Sequence, residues 1–155
     1  MTLSVRPISP HDEQIWTQLF ADYRASSGAA DDPQIVANAW GWVLRGEHAL
    51  MGIVAVDETD TPVALANLRW FARADEGDLA LWVDGLYTRP EARGQGAARA
   101  LLREAAAIAA EGDATVVRWM TADDNTTARR LYDRLATQTR WVTYAMESAP
   151  RTTTS

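Results

Sequence analysis

The sequence predicts a mixed α/β fold, a partly parallel central sheet flanked by helices. Two observations predict it. The apolar periodicity alternates between strand and helix spacing in the order β-α-α-β-β-β-α-β-α-β. Residues 83–109, VDGLYTRPEARGQGAARALLREAAAIA, read as strand, tight turn and helix, with a further strand after them. A strand–helix–strand succession pairs its strands in parallel.

Each element has a local reason. Leu3, Ser4, Val5 and Arg6 form a short first strand that Pro7 ends. Pro10, His11, Asp12 and Glu13 begin a helix with acidic residues in its first turn, and Ile15, Trp16, Leu19, Phe20 and Tyr23 recur at helical spacing. Asp32 followed by Pro33 caps a second helix, which carries Ile35, Val36, Ala39, Trp40, Val43 and Leu44 and stops at Gly46. Residues 49–56 and 62–71 are two β runs around the polar turn 57–60, a hairpin. The central strand runs over 79–88 and ends at Arg89-Pro90. In the helix that follows, Leu101, Leu102, Ala105, Ile108 and Ala109 make one buried face. Residues 115–121 form the next strand, 126–136 a helix after Asn125, and 139–147 a last strand. Residues 1–148 are expected to be one domain, and 149–155 a disordered tail.

Arg93, Gly94, Gln95, Gly96, Ala97 and Ala98 open the central helix. Glycines there let a ligand approach the backbone with no Cβ in the way. The first N–H groups of a helix have no internal partner, and its positive dipole end favours a phosphate or pyrophosphate. Two bare glycines also suit a turn that merely starts a helix. A dinucleotide motif fits less well, because Arg99 stands where a third glycine is expected.

The residues around the turn resemble the GNAT superfamily of N-acetyltransferases. Arg93 to Ala98 match its acetyl-CoA loop, Arg/Gln-x-x-Gly-x-Gly/Ala, and Leu86-Tyr87-Thr88 and Pro90-Glu91 stand in the family's order before it. Downstream, Asn125 and Tyr132 in NTTARRLY are similar to a second signature, Asn-x-x-Ala-x-x-x-Tyr. The run LYDRLATQTRWVTYAM resembles a subgroup with small histone- and polyamine-acetylating enzymes. The resemblance implies the GNAT fold and acetyl transfer from acetyl-CoA to a primary amine of a small molecule or exposed peptide. One departure is plain: the family ends in a two-stranded hairpin, and here only one strand's worth of chain follows the last helix. The unpaired sheet edge this would leave suggests a homodimer.

The chemistry sets four requirements: a held thioester, an amine that has lost a proton, donors for the developing oxyanion, and an acid for the leaving thiolate. The resemblance implies that the backbone of Arg93 to Ala98 holds the pyrophosphate. It implies that Leu86, Tyr87 and Thr88 pair with the pantetheine arm, with a backbone N–H near Leu86 as oxyanion donor. Gly85 permits a bulge in the strand. Asp84 stands where many relatives have a glutamate and is the candidate base; the other reading is a carboxylate that only attracts substrate or has no role. Alternation puts Asp84 on one face with Trp82, Leu86 and Thr88 unless a bulge shifts the phase. Tyr132, seven residues after Asn125 and about two turns along the helix, is the candidate general acid or else a core tyrosine. Asn125 caps its helix and, by resemblance, also bonds the pantetheine. The helix pair near the N-terminus lies over the acceptor side in the family, so Trp40 and Trp42 are candidates for a substrate pocket, with Trp40 on the core stripe.

Composition narrows the alternatives. All 15 basic residues are arginine, and the net charge of −6 argues against a nucleic-acid partner. There is no cysteine, hence no disulfide and no thiol nucleophile, and two histidines are too few for a histidine-rich metal site; no metal is expected. No apolar stretch is long enough to span a membrane, and the start of the chain lacks a secretory pattern. The expected location is the cytoplasm. The rival reading is a GNAT-fold acyl-CoA-binding protein without catalysis.

Overall fold

The computed structural model describes residues 2–152. Up to Met120 the chain builds one compact unit, and from Thr121 on it builds a second. The expectation of a disordered tail falls partly on residues 153–155, which lie outside the described residues.

The first unit is built on a five-stranded sheet: β1 (Ser4–Pro7), β2 (Leu50–Val56), β3 (Pro62–Arg73), β4 (Asp78–Thr88) and β5 (Ala114–Trp119), side by side in that order. β1 to β4 are antiparallel; β4 and β5 are parallel, joined through helix α3 (Ala97–Glu111). Helices α1 (Glu13–Ser26) and α2 (Pro33–Arg45) stand between β1 and β2 in the chain. Local chemistry sets their ends. Asp32 accepts hydrogen bonds from the N–H groups of Gln34 (3.0 Å) and Ile35 (3.3 Å) at the start of α2, and Gly46 closes it with φ 69°.

Trp16, Leu19, Trp40 and Val43 of α1 and α2 pack on Val54, Val56 and Leu65 of the sheet. The alternating residues Ile53, Ala55, Ala64 and Ala66 are buried too, so both sheet faces are covered. α3 packs across the strands with Leu101, Leu102, Ala105 and Ala109 buried. Next to it, a Cβ on Gly112 would lie 2.4 Å from the Trp70 ring, so only glycine fits there.

The second unit contains helix α4 (Thr126–Leu135). The expected last strand over 139–147 does not form; those residues adopt no regular structure, and Trp141, Val142, Tyr144 and Met146 are exposed. Strand propensity reflects packing on neighbouring strands, and it does not by itself extend a sheet.

Candidate active site

β4 carries an extra residue. Leu68 pairs with Val83 and Asn67 with Gly85, so Asp84 is left out of the ladder as a bulge. The bulge was expected at Gly85; it falls one residue earlier, because Gly85 has a different task. A Cβ there would sit 3.2 Å from Cε1 of Tyr23, so its missing side chain makes room for that ring. The extra residue also resets the alternation. Asp84 does not share a face with Leu86 and Thr88 by simple alternation; Gly85 and Tyr87 fall on one side, where the Tyr87 ring centroid is 6.4 Å from that of Tyr23.

Pairing of β4 with β5 runs only as far as Val83 opposite Trp119, where β5 ends. Leu86, Tyr87 and Thr88 continue beyond it, paired with β3 through Ala66, Leu65 and Ala64. Their other edge has no β5 residue to bond.

The strand leads into the turn that opens α3. Arg93 folds back, its Nε donating to the carbonyl of Thr88 at 3.1 Å and its guanidinium lying 5.6 Å from the Tyr87 ring centroid. Gly94 and Gly96 have φ of 75° and 89°, in the left-handed region that side chains disfavour. A Cβ on either would meet no protein atom within 4 Å. The glycines are therefore required by backbone shape, and the space beside them is open. Gln95 donates through its Nε2 to the Glu91 carbonyl at 3.4 Å. Ala97 and Ala98 begin α3, and the first of its bonds back to the turn is Ala100 N–H to Gly96 at 2.9 Å. The N–H groups ahead of Ala100 are those a helix leaves without an internal partner, and open space beside the glycines gives a phosphate room to approach them.

A cavity of about 310 Å³ lies on the α1/α2 side of the bulge. Asp84 and Asn67 from the sheet, Tyr23 and Phe20 from α1, and Asn38 and Trp42 from α2 all line it. Trp40 instead belongs to the core, 6% exposed, while Trp42 is 40% exposed and meets His48 edge-on at 5.0 Å. Arg69 approaches Asp84 at 3.4 Å, with both side chains nearly half exposed, a weak ion pair. Burial, and secondarily the charge of Asp84, pushes the Tyr23 phenol above its ordinary value, so it stays a hydrogen-bond donor. Asn67 is 4% exposed, and its Oδ1 is buried without a partner.

In the second unit, Asn125 caps α4. Its Oδ1 accepts from Ala128 N–H at 3.4 Å and its Nδ2 donates to Thr121 Oγ1 at 3.1 Å. Tyr132 lies two turns along α4, its carbonyl accepting from Ala136 N–H at 2.8 Å.

The family model for the acetyltransferase (GNAT) family matches residues 13–136, most of the chain and both signatures. The chain belongs to the GNAT family. It is an acetyltransferase, and as a GNAT enzyme it takes the acetyl group from acetyl-CoA and passes it to an amine. The curated D-amino-acid N-acetyltransferase HPA3 of Saccharomyces cerevisiae is 26% identical over 141 residues, covering 90% of this chain and 88% of that protein. Solved structures with the same GNAT fold include a ribosomal-protein-alanine N-acetyltransferase from Brucella melitensis biovar Abortus 2308 (20% identity, TM-score 0.79, 96% of this chain and 100% of that one). Another is AAC(6')-Iy in complex with a CoA bisubstrate analogue (13% identity, TM-score 0.82, 96% and 100%).

Sequence reasoning on this GNAT chain missed Asn67, Asn38 and the turn of Tyr23 toward the cavity. A signal existed for Asn67. It is the lone amide inside the apolar run Val63–Ala64–Leu65–Ala66–Asn67–Leu68, and asparagine is depleted in strands unless something there needs it.

Proposed function

We propose that this GNAT enzyme acetylates a primary amine of a small molecule or an exposed peptide amine. The observation that carries the reading is the bulge at Asp84, which sets a carboxylate into a cavity beside the strand end that leads to the glycine turn. Acetyl-CoA supplies the acetyl group as a thioester. The N–H groups of Arg93, Gly94, Gln95, Gly96, Ala97 and Ala98 hold its pyrophosphate, and the edge of Leu86, Tyr87 and Thr88 beyond the end of β5 bonds its amide-bearing arm as an added strand would. A backbone N–H at Leu86 donates to the oxygen that gains charge. Asp84 removes the proton from the amine, directly or through a water, and the Tyr132 hydroxyl returns one to the departing sulfur. Asn125 spends one lone pair on its helix and one N–H on Thr121, and keeps one of each for the coenzyme arm.

Residues 1–148 act as one acetyltransferase domain, a reading supported by a family match that runs through both compact units. A second copy covers the exposed arm, where Trp141 is 84% and Met146 96% exposed, which makes the enzyme a homodimer. It works in the cytoplasm, where acetyl-CoA is at hand, without nucleic-acid or membrane partners. Among the described residues no helix is long and apolar enough to cross a membrane, and no group of side chains is placed to hold a metal.

The test is thiol release from acetyl-CoA with a panel of amines. Turnover of any amine, lost in Tyr132→Phe, supports catalysis. Binding of acetyl-CoA without turnover of any amine favours the non-catalytic alternative.

A further inference from the structure

We propose that the acceptor is a primary amine on an apolar body, aromatic or branched, with no carboxylate of its own, and that Asn67 accepts one N–H of that amine beside Asp84. The inference rests on the acetyltransferase reading and specifies its acceptor. Asn67 is the observation that starts it. Its side chain lines the cavity, is 4% exposed, and has a buried Oδ1 without a partner. A buried amide oxygen left unpaired is costly, and Asn67 is the residue with such an atom that also lines the cavity. Asn67 is paired across the ladder with Gly85, directly beside the bulged Asp84, so an acceptor and a carboxylate stand at adjacent positions of the cavity floor. That pair suits the N–H groups of an ammonium and then of the amine it becomes.

The rest of the wall decides what the amine is attached to. Phe20, Ile35, Trp42 and Leu50 give it an apolar surface. Among the described lining residues none is cationic. The carboxylate of an amino acid would face Asp84 with only Arg69 nearby, and Arg69 is already turned to Asp84 at 3.4 Å. A polyamine would bring further ammonium groups into a cavity whose one carboxylate is Asp84, with Asn38 and the Tyr23 hydroxyl as its other polar groups. The cavity of about 310 Å³ sits at the small end of ligand sites, roughly 300–1,000 Å³. An arylalkylamine satisfies all of these: the charge at the floor, and the ring among the aromatic and aliphatic side chains.

The experiment compares kcat/KM for 2-phenylethylamine, D- and L-phenylalanine, spermidine and an alanine-terminated peptide, by thiol release, in the wild-type enzyme and in Asn67→Leu. The wild type is expected to prefer 2-phenylethylamine by at least about tenfold, the size of one hydrogen bond or one misplaced charge. In Asn67→Leu its KM should rise about ten- to a hundredfold, while the KM for acetyl-CoA stays unchanged and the melting temperature holds or rises, because an unpaired buried amide has been removed. Preference for phenylalanine, spermidine or the peptide would overturn the inference and leave the acetyltransferase reading intact. An unchanged amine KM in folded Asn67→Leu would overturn the role of Asn67. No turnover of any of these amines, with acetyl-CoA still raising the melting temperature, would overturn the catalytic reading on which the inference stands.

Discussion

Gly96 has φ of 89° and open space where a side chain would begin, so its replacement separates two effects. Gly96→Val should cost about 1–2 kcal/mol for a left-handed residue, with no clash. It should also abolish the rise in melting temperature with acetyl-CoA, because the new side chain fills the cradle. Thermal unfolding with and without the coenzyme reads both. Tyr132→Phe removes only a hydroxyl. If that hydroxyl is the acid, kcat should fall by about 10²–10⁴ with the acetyl-CoA shift retained. Near-normal kcat would make Tyr132 a packing residue. Asp84→Asn should lose activity at neutral pH and recover part of it at high pH, where more of the amine is already neutral; an inactive variant at every pH would leave Asp84 a binding or structural group. At this scale the glycine turn and the helix cap at Asn125 were legible because each is a local pattern, whereas Asp84 was singled out only by resemblance. Asn67 was not legible, because only the fold shows that its oxygen lacks a partner.

The elements are tied at their ends by charge. Arg6 of β1 grips Asp12, just ahead of α1, through two hydrogen bonds of 2.8 and 2.9 Å, and Asp12 also accepts from Ser9 N–H at 2.8 Å. Asp12 is 4% exposed, and the Arg6 hydrogen bonds hold its carboxyl below the usual range. A lowered folded-state value means that this stabilisation is complete above the unfolded value of about 3.9 and is lost as pH falls through the folded one. Asp12→Asn should therefore cost about 1.5–3 kcal/mol at pH 7, the size of hydrogen bonds to a charged group, with Arg6 keeping Asp60, and should flatten the loss of stability below about pH 4. Urea midpoints between pH 7 and 3 for both proteins check it. At the other end of the sheet, the Asp78 carboxyl is pulled down to about 2 by Arg73 and by the Thr115 hydroxyl, which joins the β3–β4 hairpin to β5. Helix starts and stops such as Asp32 and Gly46 could be read from sequence because capping is a matter of adjacent residues. The strand expected over 139–147 could not, since Val142 and Tyr144 carry strand propensity but a strand also needs a partner, which adjacent residues do not specify.

For the whole molecule, coenzyme binding and self-association are separately measurable. Acetyl-CoA at a hundred times its dissociation constant should add about 2.7 kcal/mol to the stability of the folded protein. Light scattering at micromolar concentration should report twice 17.1 kDa, and Trp141→Ser with Tyr144→Ser should reduce it to the monomer. A wild-type monomer would refute the dimer. The bulge at Asp84 carries a consequence for inheritance and engineering alike. Because the ladder resumes directly on either side, with Val83 and Gly85 opposite the consecutive residues Leu68 and Asn67, the strand holds one codon more than its partner requires. Deleting that codon would leave every cross-strand pair in place and straighten the strand, whereas substituting Asp84 would alter the charge and keep the bend. The deletion should fold at least as stably as the wild type and lose its response to acetyl-CoA, while Asp84→Asn keeps that response, so the same position yields one lesion of shape and one of chemistry.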